Sequence, residues 1–122
     1  MKHLLIVDDD EDIRFLLRMM LTRSGNYEIL EAETGAQALS LLKNGSVDLM
    51  VLDYMLPDGS GADFLVQWNQ MDLLDQTLVV MLTARKDPNL EDKLLSSGVR
   101  KVFHKPFDPM ALTKELEDLF GS

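Results

Sequence analysis

The chain has 122 residues, the size of one common domain, and its 46% hydrophobic and 27% charged content is ordinary for a folded globular protein. Twelve basic residues against 21 acidic ones leave a net charge of −9, which argues against nonspecific binding to nucleic acid or to an anionic membrane surface. Cysteine is absent, so disulfides, thiol catalysis and thiolate metal sites are excluded. No window approaches 18 apolar residues, and the apolar Leu4–Val7 stretch is too short for a signal peptide and ends in acids, so a cytoplasmic location is expected.

Leu4 to Val7 is a continuous apolar run of strand length. Ile13, Leu16, Leu17, Met20 and Leu21 then recur at helical steps, with Gly25 as a stop. Glu28 to Ala32 reads as a second strand. Thr34 caps a helix carrying Ala38, Leu41 and Leu42, which Gly45 ends. Leu49 to Leu52 is a third strand, wholly apolar, as expected where both faces of a sheet are covered. Tyr54 to Gly61 reads as a loop with Pro57, Gly59 and Gly61. Helical signal resumes at Phe64, Leu65 and Trp68, with Trp68 expected to pack on the sheet. Leu78 to Leu82 is a fourth strand. Asp87-Pro88 is a cap followed by proline, opening a helix that stops at Gly98. Val102 and Phe103 belong to a short fifth strand, and Asp108-Pro109 opens a last helix through Leu112, Leu116 and Leu119. The eight methionines are expected to fill the core.

Five strand–helix units in alternation predict an α/β chain with a parallel sheet and helices on both faces, a three-layer doubly wound (βα)5 sandwich. Such sheets bind ligands beyond the C-terminal ends of their strands. The residues there are Asp8 and Asp9, then Asp53, then Thr83 and Ala84, then Lys105 and Pro106. Three crowded carboxylates repel one another, and an all-oxygen donor set suits a hard divalent cation, Mg²⁺ first. Lys105 suits an incoming phosphoryl group as a point charge, and the Thr83 hydroxyl and Ala84 N–H suit its remaining oxygens. A central carboxylate such as Asp53 can be the nucleophile, forming an aspartyl phosphate.

Several motifs carry a resemblance across the whole chain: Ile6-Val7-Asp8-Asp9-Asp10, Val51 through Gly61, Leu82-Thr83-Ala84 and Lys105-Pro106-Phe107. Together, in this order and spacing, the chain resembles the receiver domains of two-component response regulators, the CheY-like family. The resemblance implies a flavodoxin-like sheet of strand order 2-1-3-4-5 and a single receiver domain over residues 1–122. It implies that Asp53 accepts phosphate from a sensor histidine kinase or a histidine phosphotransfer protein. Asp9 would ligate Mg²⁺ directly, Asp8 through water, and Met55 through its backbone carbonyl. Thr83 would sense the phosphoryl group, Lys105 would pair with it, and the Lys105–Pro106 peptide would be cis. The output would be an altered surface for a downstream protein partner, with no direct nucleic-acid or membrane binding.

The chain departs from that family at one place. An aromatic residue is usual three positions before the lysine, where this chain has Val102. Alternation puts the adjacent Phe103 on the same face as Lys105 instead. Arg100 and Lys101 replace an acidic pair common there. Two other readings stand beside the phosphorylatable switch. One is a degenerate receiver acting as an interaction module. The other is an aspartyl-phosphate phosphatase of the haloacid-dehalogenase type, which would need a second Asp where this chain has Met55. Asp10, Glu11 and Asp12 read as a solvated run at a helix N-terminus. An EF-hand fails because Ile13 and Met19 occupy the Gly and Glu positions. Gly59-Ser60-Gly61 reads as a turn, and His3 and His104 as structural or solvent-facing.

Overall fold

The structure, a computed structural model, describes residues 2–23 and 25–120. The expected domain span of 1–122 thus extends past the described residues at Met1 and at Gly121-Ser122. The elements are β1 (Lys2–Val7), α1 (Glu11–Thr22), β2 (Tyr27–Ala32), α2 (Gly35–Asn44), β3 (Leu49–Asp53), β4 (Met55–Leu56), β5 (Gly59–Ser60), α3 (Gly61–Gln70), β6 (Leu78–Thr83), α4 (Pro88–Ser96), β7 (Lys101–His104) and α5 (Pro109–Phe120). Five strands form one parallel sheet in the order β2-β1-β3-β6-β7. Counting only those five, this is the expected order 2-1-3-4-5.

Strand alternation divides the core into two layers. Leu4 and Ile6 of β1 join Leu17 and Leu21 of α1 and Leu112, Leu116 and Phe120 of α5. Leu5 and Val7 join Ala38 and Leu42 of α2, Leu65 and Trp68 of α3 and Leu94 of α4. The central strands are therefore apolar on both faces, which explains their unbroken runs in the sequence. Among the described residues, no helix is long and apolar enough to cross a membrane.

The local signals act as the chemistry predicts. Thr34 Oγ1 accepts from Gln37 N at 3.1 Å, and Asp87 Oδ1 accepts from Asn89 N at 3.0 Å ahead of Pro88. Asp108 Oδ1 accepts from Met110 N at 3.1 Å at the start of α5. Gly98 ends α4 at φ +106, where the Val99 N–H reaches back to Leu94 O at 3.2 Å. Trp68 is fully buried and its ring stacks on Phe64, with centroids 5.4 Å apart.

Two expectations need correction. The segment Tyr54–Gly61 is more ordered than a loop. Met55 pairs with Ser60 and Leu56 with Gly59 in a small antiparallel ribbon turning at Pro57-Asp58, and Leu56 is buried. A two-residue turn closes the ribbon, and its short strands escape notice because they are too brief for any periodicity. The methionines are not mainly core filler. Met50 and Met81 are buried on the sheet, but Met19, Met55, Met71 and Met110 are exposed, since they sit on outer helix faces, at the end of α3 and on the β4–β5 ribbon.

Gly61 opens α3 directly beneath β3. Its N–H donates to Tyr54 O at 2.6 Å. A Cβ there would lie 2.6 Å from the Asp53 carbonyl oxygen and 3.2 Å from both the Leu52 side chain and the Met81 sulfur. The backbone oxygen cannot yield, so Gly61→Ala is expected to cost about 2–3 kcal/mol. Urea titration checks this, with a lowered midpoint at unchanged slope as the expected result.

Candidate functional site

The sheet edge gathers the acids by register. Asp8 follows β1, and its N–H donates to Ala32 O at 3.1 Å, which continues the pairing with β2 by one residue. Asp8 is fully buried while Asp9 is exposed. Asp10 leaves the site altogether. It caps α1, its carboxylate accepting from Asp12 N and Ile13 N, and Glu11 and Asp12 lie in the exposed first turn. Asp53, the last residue of β3, is buried. Carboxylate oxygens of Asp8, Asp9 and Asp53 all lie within 4.8 Å of one another.

Lys105 closes the cluster from the far edge strand. Its N–H donates to Thr83 O at 2.8 Å, extending the β6–β7 pairing. Its Nζ lies 3.1 Å from Asp8 Oδ2 and 3.3 Å from Asp53 Oδ2. The Lys105–Pro106 peptide is cis. Thr83 ends β6 one residue beyond the partner of Asp53, and it is buried, with Oγ1 accepting from Arg85 N at 3.0 Å. Ala84 follows it into solvent. Met55 presents its amide to Asp53 Oδ1 at 3.5 Å while its side chain is exposed. The structure thus brings Asp8, Asp9, Asp53 and Lys105 into one cluster, with Thr83, Ala84 and Met55 on the adjoining chain segments.

The electrostatics follow from burial. Loss of water pushes the Asp53 carboxyl up to about 6, the charge of Asp8 adds to this, and Lys105 offsets part of it. Burial works against the Lys105 ammonium, but Asp8 and Asp53 outweigh it and raise its pKa. An all-oxygen cluster of three acids beside a single lysine keeps excess negative charge, so the donor set fits a hard divalent cation.

Sequence reasoning missed Arg14. It lies on the same α1 face as Leu17 and Leu21 and is buried with them. Its Nη1 donates to the Asp8 carbonyl at 2.7 Å, and its Nε and Nη2 reach Glu31 and Glu33 at 3.2 and 3.4 Å. The available signal was a basic residue three positions before Leu17 on an otherwise apolar stripe. Alternation along β7 sends its two buried residues to opposite faces of the sheet. Val102 is buried toward α4, and Phe103 packs on the opposite face with Leu82 and Leu112. Lys101 pairs with Glu115 of α5 at 2.7 Å, while Arg100 is exposed. His3 lies 3.1 Å from Glu28 and His104 3.7 Å from Glu91, and neither joins the acidic cluster.

Two outcomes are expected. The folded pKa of Asp53 lies above its unfolded value, so its neutral form stabilises the fold at low pH. That contribution is complete below about 4 and is lost as pH rises through about 6. Asp53→Asn should therefore raise stability at pH 7.5 by on the order of 1 kcal/mol in metal-free buffer, and the gain should vanish at pH 4. Denaturant midpoints at the two pH values measure this. Arg14→Ala should cost about 2–3 kcal/mol, because the Asp8 carbonyl loses its donor and Glu33 its partner. Thermal unfolding measures it.

The model of the response regulator receiver domain matches residues 4–117. A chemotaxis protein CheY homolog of Campylobacter jejuni is 32% identical over 120 residues, covering 98% of this chain and 92% of that protein. The phosphate regulon transcriptional regulatory protein PhoB of Pseudomonas aeruginosa is 34% identical over 116 residues, covering 95% of this chain but only 50% of that protein. The non-phosphorylated HemR receiver domain from Leptospira biflexa superposes with a TM-score of 0.89 at 27% identity, covering all of this chain and 96% of that one. Fold, acidic edge and kinship agree, and the chain belongs to the CheY-like response-regulator receiver family of two-component signalling.

Proposed function

We propose that Asp53 is the phosphoacceptor of this receiver, that Asp9, Asp53 and the Met55 carbonyl hold Mg²⁺, and that Asp8 holds it through water. The observation that carries this reading is the buried Asp53 with Lys105 Nζ 3.3 Å from its Oδ2, beside a cluster of three carboxylates. When bound, the ion would supply positive charge to phosphoryl oxygens. Everything else falls to the chain itself. An Asp53 oxygen attacks phosphorus, an O–P bond forms, and the P–N bond of a phosphohistidine donor breaks with the imidazole leaving. Lys105 exchanges its carboxylate contacts for a phosphoryl oxygen. The Thr83 hydroxyl turns from Arg85 N toward a second oxygen, and the Ala84 N–H takes a third. Each transfer modifies the protein once, so the result is an altered surface and no released small-molecule product.

The phosphate source is a sensor histidine kinase or a histidine phosphotransfer protein, and the reader is a downstream protein in the cytoplasm. Val102 has no ring to rotate, so movement of Thr83 reaches the outer surface through other groups. The whole chain acts as one receiver unit.

Incubation with acetyl phosphate and Mg²⁺ should add one phosphate to the native chain and none to Asp53→Ala, read by intact-mass spectrometry. A phosphate that persists in the variant refutes the acceptor assignment. Millimolar Mg²⁺ should raise Tm by ligand linkage, and Asp9→Asn should remove that rise. Steady release of product from an added phosphomonoester over many cycles would favour a phosphatase instead.

A further inference from the structure

Asp58 stands at the turn of the β4–β5 ribbon, five residues beyond Asp53. Both of its carboxylate oxygens are engaged. Oδ1 accepts from Gly35 N at 2.9 Å and Oδ2 from Ala36 N at 3.0 Å. These are the first two amides of α2, which have no acceptor within the helix. Burial pushes the Asp58 carboxyl up, but the backbone amide bonds together outweigh it and hold the carboxyl below its ordinary range. Yet α2 already has a conventional cap in Thr34. The carboxylate of Asp58 therefore adds something a cap does not: it fastens the ribbon to the neighbouring helix.

A second contact fastens the same two pieces. The Phe64 ring covers both glycines of the junction. A Cβ on Gly35 would fall 2.3 Å from the ring, and one on Gly59 would fall 3.2 Å from it. Phe64 is itself backed by the stacked, fully buried Trp68. From this clamped tip the ribbon runs back only two residues to Met55, which pairs with Ser60, while Tyr54 O accepts from Gly61 N. There is too little chain between Asp58 and Met55 to absorb a displacement.

We propose that Asp58 is a positioning residue for the cation site: by clamping the ribbon tip to the first turn of α2, it fixes where the Met55 carbonyl points. Asp58 touches neither the cation nor the phosphoryl group. This role rests on the ligand set proposed above.

Titration calorimetry of Mg²⁺ into the unphosphorylated full chain tests it. Asp58→Ala should weaken Mg²⁺ binding roughly tenfold, in the range of outer-shell substitutions at metal sites. Asp58→Asn keeps one acceptor oxygen and should lie between. Thr34→Ala removes the conventional cap of α2 without touching the ribbon, and its Mg²⁺ affinity should stay within about twofold of native. Amide exchange should quicken at residues 55–61 in Asp58→Ala and not in Thr34→Ala. Native-like affinity in Asp58→Ala, or an equal loss in Thr34→Ala, overturns the positioning role. If Asp58→Ala does not fold, Asp58→Asn decides, and native affinity there also overturns it. A native chain that takes up no Mg²⁺ overturns the ligand assignment itself, a failure visible before any variant is made.

Discussion

Two carboxylates buried at neighbouring strand ends, Asp8 and Asp53, share one lysine. Buried charge of one sign costs several kcal/mol unless it is paired, and a single ammonium cannot neutralise two carboxylates and the exposed Asp9 beside them. The surrounding structure can be understood from that imbalance. Arg14 braces the backbone of Asp8 from below, Thr83 fills the next strand end with a neutral hydroxyl, and Gly61 lets α3 approach the carbonyl of Asp53 closely. The pocket is stable enough to form yet left short of positive charge, and a hard cation is the complementary partner for such a place.

The parallel sheet supplies the convergence. Because all five strands run the same way, their C-terminal ends meet at one edge, and residues far apart in sequence become neighbours without any local motif. The helices then act as spacers of fixed thickness on both faces, α1 and α5 on one and α2 to α4 on the other. At the β7 edge of the sheet Val102 packs inward, and the Lys101–Glu115 pair ties β7 to α5.

Much of this was legible in the sequence because the signals are local or periodic. Apolar runs marked the strands, cap-then-proline pairs at Asp87-Pro88 and Asp108-Pro109 marked two helix starts, and strand-end residues marked the acidic edge. What escaped has no period and no local signature. The β4–β5 ribbon is too short to alternate, and its tie to α2 joins residues 22 and 23 positions apart. Arg14 reads as one more surface charge until tertiary packing buries it under Glu31 and Glu33. The exposed methionines show the opposite failure, since composition gives a residue's affinity for a core but not its seat.

Lys105 and Asp8 are 97 positions apart, and Lys2 reaches the Phe120 carbonyl across 118. The site and the fold are thus both closed by contacts between the first and the last elements of the described residues. A growing chain on the ribosome carries Asp8 and Asp53 long before it carries the lysine that balances them. Until β7 docks against β6, those acids face each other with no internal counterion, and no truncated product ending before residue 105 holds a balanced pocket. A balanced pocket therefore arrives with β7, not gradually along the strands before it.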